Sequence, residues 1–249
     1  MCIPVREEAA TIGRIVESVV RDVDQVVVVD AASDDGSARI AADAGAEVHQ
    51  QSALMPELGP ARGKGDAMWR ALTVLRNDVV CFVDGDSLDF GPHFVHGVVG
   101  PLFADPDVQY VKGYYRRPFG GQPEGGGRVT ELTARPLLRL FYPELAECRQ
   151  PLAGEIAARR SLLESIPWVT GYGVEIAQLI DVYRLVGIDA MAQVDLEVRQ
   201  NRHQPLSALG TMATAVAGAL ASRLEREGRL SEAPPVVERP PLRSLRAPA

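Results

Sequence analysis

The stretch Val79-Val80-Cys81-Phe82-Val83-Asp84-Gly85-Asp86 is an apolar run that ends abruptly on two carboxylates separated by a glycine. The run is too short for a helix and rich in β-branched valine, so it reads as a strand buried on both faces. Val26-Val27-Val28-Val29-Asp30 has the same form and also ends on a carboxylate. Between the two, residues 38–44 read as a helix stopped by Gly45, residues 46–48 as a short strand, residues 50–64 as a loop and residues 66–76 as a helix around Trp69. Strands and helices that alternate in this way call for an α/β fold with a mostly parallel sheet. In such sheets ligands bind beyond the carboxyl ends of the strands. Asp30 and Asp84 therefore fall where the fold itself makes a site.

Upstream, Ile12, Ile15, Val16, Val19 and Val20 recur at helical spacing after Thr11. Residues 1–4 read as the end of a first strand whose beginning is missing or short. Downstream, residues 108–115 read as a strand, residues 120–128 as a glycine-rich loop and residues 130–140 as a helix. Gly171-Tyr172-Gly173-Val174-Glu175 opens another helix, to about Leu185, and residues 190–199 alternate as a strand. Ser207 is placed to cap a long Ala-rich helix ending at Gly228. The proline-rich tail, residues 231–249, has no periodicity and reads as disordered.

The chain has 249 residues and a net charge of −7, without the basic excess a duplex-DNA binder would show. Cys2, Cys81 and Cys148 form no CxxC pair, which argues against a zinc ribbon or disulfide framework and suggests a reducing, cytoplasmic compartment. No stretch has the roughly 18 apolar residues of a membrane helix, and Met1-Cys2-Ile3-Pro4 leads into charged residues rather than a signal sequence.

Asp84 and Asp86 lie two apart, so in extended geometry they face one side. Mg²⁺ favours one or two carboxylates completed by phosphate oxygens and water, which this pair suits; the plainer alternative is a turn capping the next helix. Glu8 and Asp30 are carboxylates at strand ends able to accept from a base N–H or ribose hydroxyl, or else a helix-dipole charge and a turn cap. Arg62-Gly63-Lys64-Gly65 resembles a phosphate cradle without the Walker A spacing, and Lys64 suits a diphosphate; a solvated loop is the alternative. Gly127-Arg128-Val129-Thr130 turns from loop into helix, converging backbone N–H groups, a guanidinium and a hydroxyl on one anion site, unless it is simply a flexible loop. In Arg199-Gln200-Asn201-Arg202-His203, residues Arg199, Asn201 and His203 share a face if extended, with a structural histidine as the alternative.

In this order, several blocks resemble the glucosyl-3-phosphoglycerate synthase family of retaining GT-A glycosyltransferases. They are Arg62-Gly63-Lys64-Gly65, Val83-Asp84-Gly85-Asp86, Val111-Lys112-Gly113-Tyr114-Tyr115-Arg116-Arg117-Pro118, Gly126-Gly127-Arg128-Val129-Thr130-Glu131-Leu132, Gln150-Pro151-Leu152-Ala153-Gly154-Glu155, Gly171-Tyr172-Gly173-Val174-Glu175-Ile176 and Gln193-Val194-Asp195-Leu196. The resemblance runs from Pro4 to about Gly210. It implies a Rossmann-like GT-A fold with residues 1–117 as the nucleotide-sugar half, residues 118–230 as the acceptor-binding and C-terminal helical part of the same domain, and the tail beyond. It implies a UDP-glucose donor, a 3-phospho-D-glycerate acceptor and a Mg²⁺ or Mn²⁺ cofactor. Pro4, Val5, Glu8 and Asp30 would line the nucleotide pocket with Lys64, Asp84 and Gly85. Asp84, Glu175 and Lys64 would serve catalysis. Gly127, Arg128, Val129 and Thr130 would hold the acceptor, and Asp86 the metal.

The chain departs from the family at four places, the clipped first strand among them. The metal-binding histidine of a His-Arg-x-x-Pro-Leu stretch falls on Asn201, so either the Asn201 carbonyl or His203 completes the metal site. Ala31 replaces a frequent serine near the base, and the loop before Gly125 is shorter. Competing expectations are mannosyl transfer from GDP-mannose, transfer to a lipid phosphate, and a sugar-nucleotide-binding protein without catalysis. A dinucleotide dehydrogenase is disfavoured, because no GxGxxG follows the first strand. Residues 207–227 are apolar enough to build a homodimer, with core packing as the alternative.

Overall fold

Strands β1 (Cys2–Val5) and β2 (Val27–Asp30) pair in parallel along their whole length, Cys2 opposite Val27 and Val5 opposite Asp30. The structure, a computed structural model, describes residues 1–200, 204–229 and 237–245. Helix α1 (Ile12–Val19) connects those two strands; α2 (Ser37–Asp43) leads to β3 (Glu47–Gln50), and α3 (Lys64–Ala71) to β4 (Val79–Phe82). Then follow α4 (His93–Ala104), β5 (Tyr110–Arg116), α5 (Arg135–Phe141), β6 (Ile156–Arg159), α6 (Arg160–Leu163), β7 (Trp168–Val169), α7 (Val174–Val186), β8 (Met191–Val198), α8 (Leu206–Arg226) and β9 (Glu238–Arg239).

Seven strands form one sheet in the order β3-β2-β1-β4-β6-β5-β8. The valine runs do what their composition predicts. Val27, Val28 and Val29 are all fully buried, and the period of two sends alternate side chains to opposite faces. Val27, Val29, Val80 and Phe82 join one core layer with Trp69, Trp168 and Leu220 from α3, β7 and α8. Ile3, Val28, Cys81 and Val83 join the other with Ile15, Val16, Phe94 and Val98 from α1 and α4. All three cysteines are free and buried.

Only β6 runs against the rest, pairing antiparallel with both β4 and β5. Strands β1, β2 and β4, and β5 with β8, therefore end at one edge, and β6 begins there. That edge receives Val5, Asp30, Asp84, Arg117 and Arg199 from strand ends and Glu155 from a strand start. Strands from both sides of residue 117 thus share one sheet.

Three expectations need correction, and two elements went unforeseen. The first strand is not short for this sheet: at four residues β1 equals β2, β3 and β4. Helix α4 and strand β6 escaped the sequence reading, the latter because Ile-Ala-Ala-Arg is brief and poor in β-branched residues. Ser207 lies inside α8 rather than capping it; the cap position is Pro205. Part of the tail is ordered: β9 pairs antiparallel with β7, and Leu242 is 2% exposed. Partners distant in sequence, not local periodicity, order it.

Candidate active site

A cavity of about 600 Å³ opens at this edge. Pro4 and Val5 of β1 and Glu8 after it line it, with Lys64 from α3 and Asp84, Gly85 and Asp86 after β4. Gly127, Arg128, Val129 and Thr130 line it too, together with Glu175 of α7 and Arg199 beyond β8. Of the described candidate residues only Asp30 is missing from the wall. It is 1% exposed, and one of its oxygens accepts from the Ser33 N–H at 3.1 Å and the Gln50 amide at 2.9 Å. The turn-capping alternative thus describes its contacts. Asn201 and His203 lie outside the described residues.

Lys64 and Arg199 organise the chemistry. Lys64 Nζ donates to Asp84 Oδ1 at 2.5 Å and to Glu175 Oε1 at 2.6 Å. Arg199 Nη1 meets Asp84 Oδ2 and Glu155 Oε1, each at 3.0 Å, and Arg199 Nη2 meets Asp86 Oδ1 at 2.5 Å. The Tyr115 hydroxyl donates to Glu155 at 2.8 Å and accepts from Arg199 at 2.7 Å. Burial alone would push the Lys64 ammonium down; Asp84 and Glu175 more than offset this and hold it above its ordinary value. Burial likewise favours a protonated Asp84, but Lys64 and Arg199 override it and keep the carboxyl well below the usual range. Arg199 follows the same logic, burial opposed by Glu155, Tyr115, Asp84 and Asp86. Burial pushes the Tyr115 phenol up to about 12, which keeps it a neutral hydrogen-bond donor.

Asp84, Asp86, Glu155 and Glu175 thus stand against two cations, Lys64 and Arg199. The surplus of negative charge is what a divalent cation would neutralise. Among the described residues no group of three or more His, Cys, Asp or Glu is arranged to hold an ion unaided. A hard cation at Asp86 would draw further ligands from outside that set, phosphate oxygens and water among them, as Mg²⁺ and Mn²⁺ do.

Two glycines make room for this cluster. A Cβ on Gly154 would fall 2.4 Å from Asp84 Oδ1, and one on Gly65 would fall 1.9 Å from the Val169 carbonyl oxygen. The second contact seats the first turn of α3, and Lys64 with it, against β7.

On the other side of the cavity, Thr130 opens a five-residue π-helical turn, Thr130–Ala134, that runs into α5. Arg128 lies over the Phe119 ring at 4.5 Å and donates to the Gln204 carbonyl at 2.7 Å. Arg117 also lines the cavity, held against the Tyr115 ring at 5.1 Å. Sequence reasoning assigned no role to Arg117, Glu155 or Tyr115. Their signal was present only as membership of the two blocks quoted above, because nothing local marks a buried glutamate as the partner of an arginine 44 positions away.

A mostly parallel sheet whose edge carries Asp84-Gly85-Asp86, with Lys64 set between acidic groups, defines a GT-A glycosyltransferase, and glycosyl transferase family 2 matches residues 1–152. The chain belongs, within that class, to the glucosyl-3-phosphoglycerate synthase family. It is 47% identical over 211 residues to the glucosyl-3-phosphoglycerate synthase of Petrotoga mobilis, covering 83% of this chain and 65% of that protein's length. Among solved structures it resembles mannosyl-3-phosphoglycerate synthase from Rubrobacter xylanophilus, with a TM-score of 0.93 and 46% identity over 98% of this chain and 89% of that one. It also resembles glucosyl-3-phosphoglycerate synthase from Mycobacterium tuberculosis in complex with Mn²⁺, UDP-glucose and phosphoglyceric acid, with a TM-score of 0.88 and 41% identity over 98% and 90% of the two chains.

Proposed function

We propose that this protein transfers glucose from UDP-glucose to 3-phospho-D-glycerate with retention of anomeric configuration, giving glucosyl-3-phosphoglycerate. The observation that carries the reading is Lys64 held between Asp84 and Glu175, in a cavity that also takes Arg128 and Thr130. The Mycobacterium tuberculosis neighbour, crystallised with donor, acceptor and Mn²⁺, supports it.

Residues 1–117 form most of the donor side, joined by Glu175 and Asn201 or His203, and residues 118–230 form most of the acceptor side, joined by Arg117. Pro4, Val5, Glu8 and Gly85 shape the base and ribose pocket. Asp30, behind the cavity wall, braces the turn after β2 through Ser33 and Gln50. Asp86, with Asn201 or His203, would hold Mg²⁺ or Mn²⁺, which neutralises the departing diphosphate. Lys64 adds a positive charge beside that diphosphate, and Asp84 and Glu175 orient Lys64 and contact the sugar. Gly127, Arg128, Val129 and Thr130 grip the phosphate and carboxylate of the acceptor, aided by Arg117. Those contacts aim the acceptor hydroxyl at the anomeric carbon, on the face the diphosphate leaves, and its proton passes to a departing phosphate oxygen. No protein nucleophile is required, so the residues act by position and charge.

Among the described residues no helix is long and apolar enough to cross a membrane. We read the protein as cytoplasmic, and Leu132, Leu140 and Leu206, 73%, 72% and 68% exposed, as surface a homodimer would cover. A screen of UDP-glucose, GDP-glucose and GDP-mannose against 3-phosphoglycerate, with and without Mg²⁺ or Mn²⁺, tests the assignment. Turnover confined to UDP-glucose is expected. The resemblance to the Rubrobacter enzyme favours mannosyl transfer as the second reading, and turnover with GDP-mannose would select it.

A further inference from the structure

Asp66 is fully buried in the first turn of α3, two residues after Lys64. Its Oδ2 accepts from Arg70 Nε at 2.8 Å, the Arg62 N–H at 2.9 Å and the Gln51 amide at 3.0 Å. Its Oδ1 accepts from Arg239 Nε at 2.5 Å. Arg239 belongs to β9, which lies 173 positions further along the chain.

Arg239 also reaches the loop that leads into Lys64. Its Nη1 donates to the Leu58 carbonyl at 2.5 Å and its Nη2 to the Pro60 carbonyl at 3.3 Å. Its guanidinium rests 5.5 Å from the centre of the Trp69 ring. This loop has few local bonds, three backbone N–H groups reaching carbonyls three positions back. Residues 51–63 contain only two short 3₁₀ turns, and Met55 takes a left-handed backbone, φ 52°, unfavourable for a residue with a Cβ. Side chains tie its carbonyls to α3 and β9: Arg70 takes Met55 and Gly59 at 3.0 and 2.8 Å, Arg239 takes Leu58, and the Pro60 carbonyl is shared between Arg239 at 3.3 Å and Arg70 at 3.4 Å. Gln51, Ala61, Gly63 and Lys64 of this region line the cavity.

The strand that carries Arg239 is anchored independently. Thr170 donates its N–H to the Val237 carbonyl at 3.1 Å, and Trp69 Nε1 donates to the Pro240 carbonyl at 3.0 Å. Glu238 pairs with Arg223 and Arg226 of α8.

We propose that Arg239 is a positioning residue for the nucleotide-sugar side of the cavity. By joining Asp66 to the carbonyls of Leu58 and Pro60, it holds the loop before α3 in the shape that presents Gln51, Gly63 and Lys64. This rests on the donor assignment above. A guanidinium suits the task because its planar fork serves a carboxylate and two carbonyls at once, which an ammonium does not. Asp66 keeps Arg70 when Arg239 is removed, so its buried charge stays paired and the variant folds.

The experiment compares full-length wild type, Arg239→Ala and Arg239→Lys by amide hydrogen exchange, and by titration with UDP-glucose and 3-phosphoglycerate in Mn²⁺. In R239A, exchange at residues 54–63 rises and UDP-glucose affinity falls about tenfold, the loss of charge-assisted hydrogen bonds. The affinity for 3-phosphoglycerate stays within about twofold, and R239K recovers only part of the donor affinity. Unchanged donor affinity in R239A, or equal weakening toward donor and acceptor, overturns the inference. Wild type that binds no UDP-glucose would instead overturn the donor assignment, and the exchange of residues 54–63 in R239A would still decide whether Arg239 braces the loop.

Discussion

Lys64 Nζ donates to Glu175 Oε1 at 2.6 Å, joining the first turns of two helices across 111 positions of sequence. Neither helix could place its residue alone. The bond exists because α3 and α7 start at the same edge of the sheet, seated on the β7 backbone that Gly65 approaches without a Cβ.

Lys64→Ala removes the ammonium from between Asp84 and Glu175. Turnover is expected to fall by about 10²–10³, the effect of deleting one preorganised charge-stabilising group. The loss should lie mainly in kcat, and Lys64→Arg should restore little of it, since a guanidinium does not fit a point-charge site. Steady-state kinetics with both substrates varied measures this.

Asp86→Asn should weaken Mn²⁺ binding by about 10–100-fold without unfolding the protein. Calorimetric titration with Mn²⁺ and UDP checks it apart from turnover. The same titration on Asn201→Ala and His203→Ala decides which one completes the metal site; unchanged affinity in His203→Ala would assign the role away from it.

The ion-pair cluster sets a pH window. Asp84 is held below its ordinary value of 3.8, so its stabilising effect is present above that pH and is lost as pH falls through the lower folded value. Lys64 is held above 10.5, so its effect is present below that pH and is lost only as pH rises through the higher folded value. The cluster's contribution to stability should therefore be flat between about pH 5 and 9. Asp84→Asn should flatten the acid limb of a Tm-against-pH curve.

Gly154→Ala tests the space around Asp84. The new Cβ would lie 2.4 Å from Asp84 Oδ1, so the carboxylate must move. Activity is expected to drop about 10²-fold, as for a displacement of about 1 Å at a positioned group, with the fold retained because the displaced atoms are a side chain. Circular dichroism beside turnover separates the two effects.

The parallel sheet was legible because Val26–Val29 and Val79–Val83 are continuous apolar runs, and only strands buried on both faces tolerate such runs. Their carboxylate ends located the site by the same logic, and Lys64, Asp84, Asp86, Glu175 and the Gly127–Thr130 loop do line one cavity. Arg199 was noticed for sharing a face with Asn201 and His203, whereas its described contacts are Asp84, Asp86 and Glu155. For Asp30 the sequence leaves a nucleotide contact and a turn cap open, and its described hydrogen bonds are those of the turn.

The tail shows where local reading ends. Pro240 and Pro241 flank no helical or alternating pattern, and proline leaves a backbone N–H missing. Yet Arg239 reaches Asp66, and Glu238 reaches α8. By itself the sequence determined the α/β class, the strand ends and the carboxylates that stand on them, because periodicity and residue chemistry are local properties. Which cation faces which carboxylate, and which tail residue braces the loop before Lys64, only the tertiary structure decided. Those pairings depend on the order in which the sheet brings distant strands together.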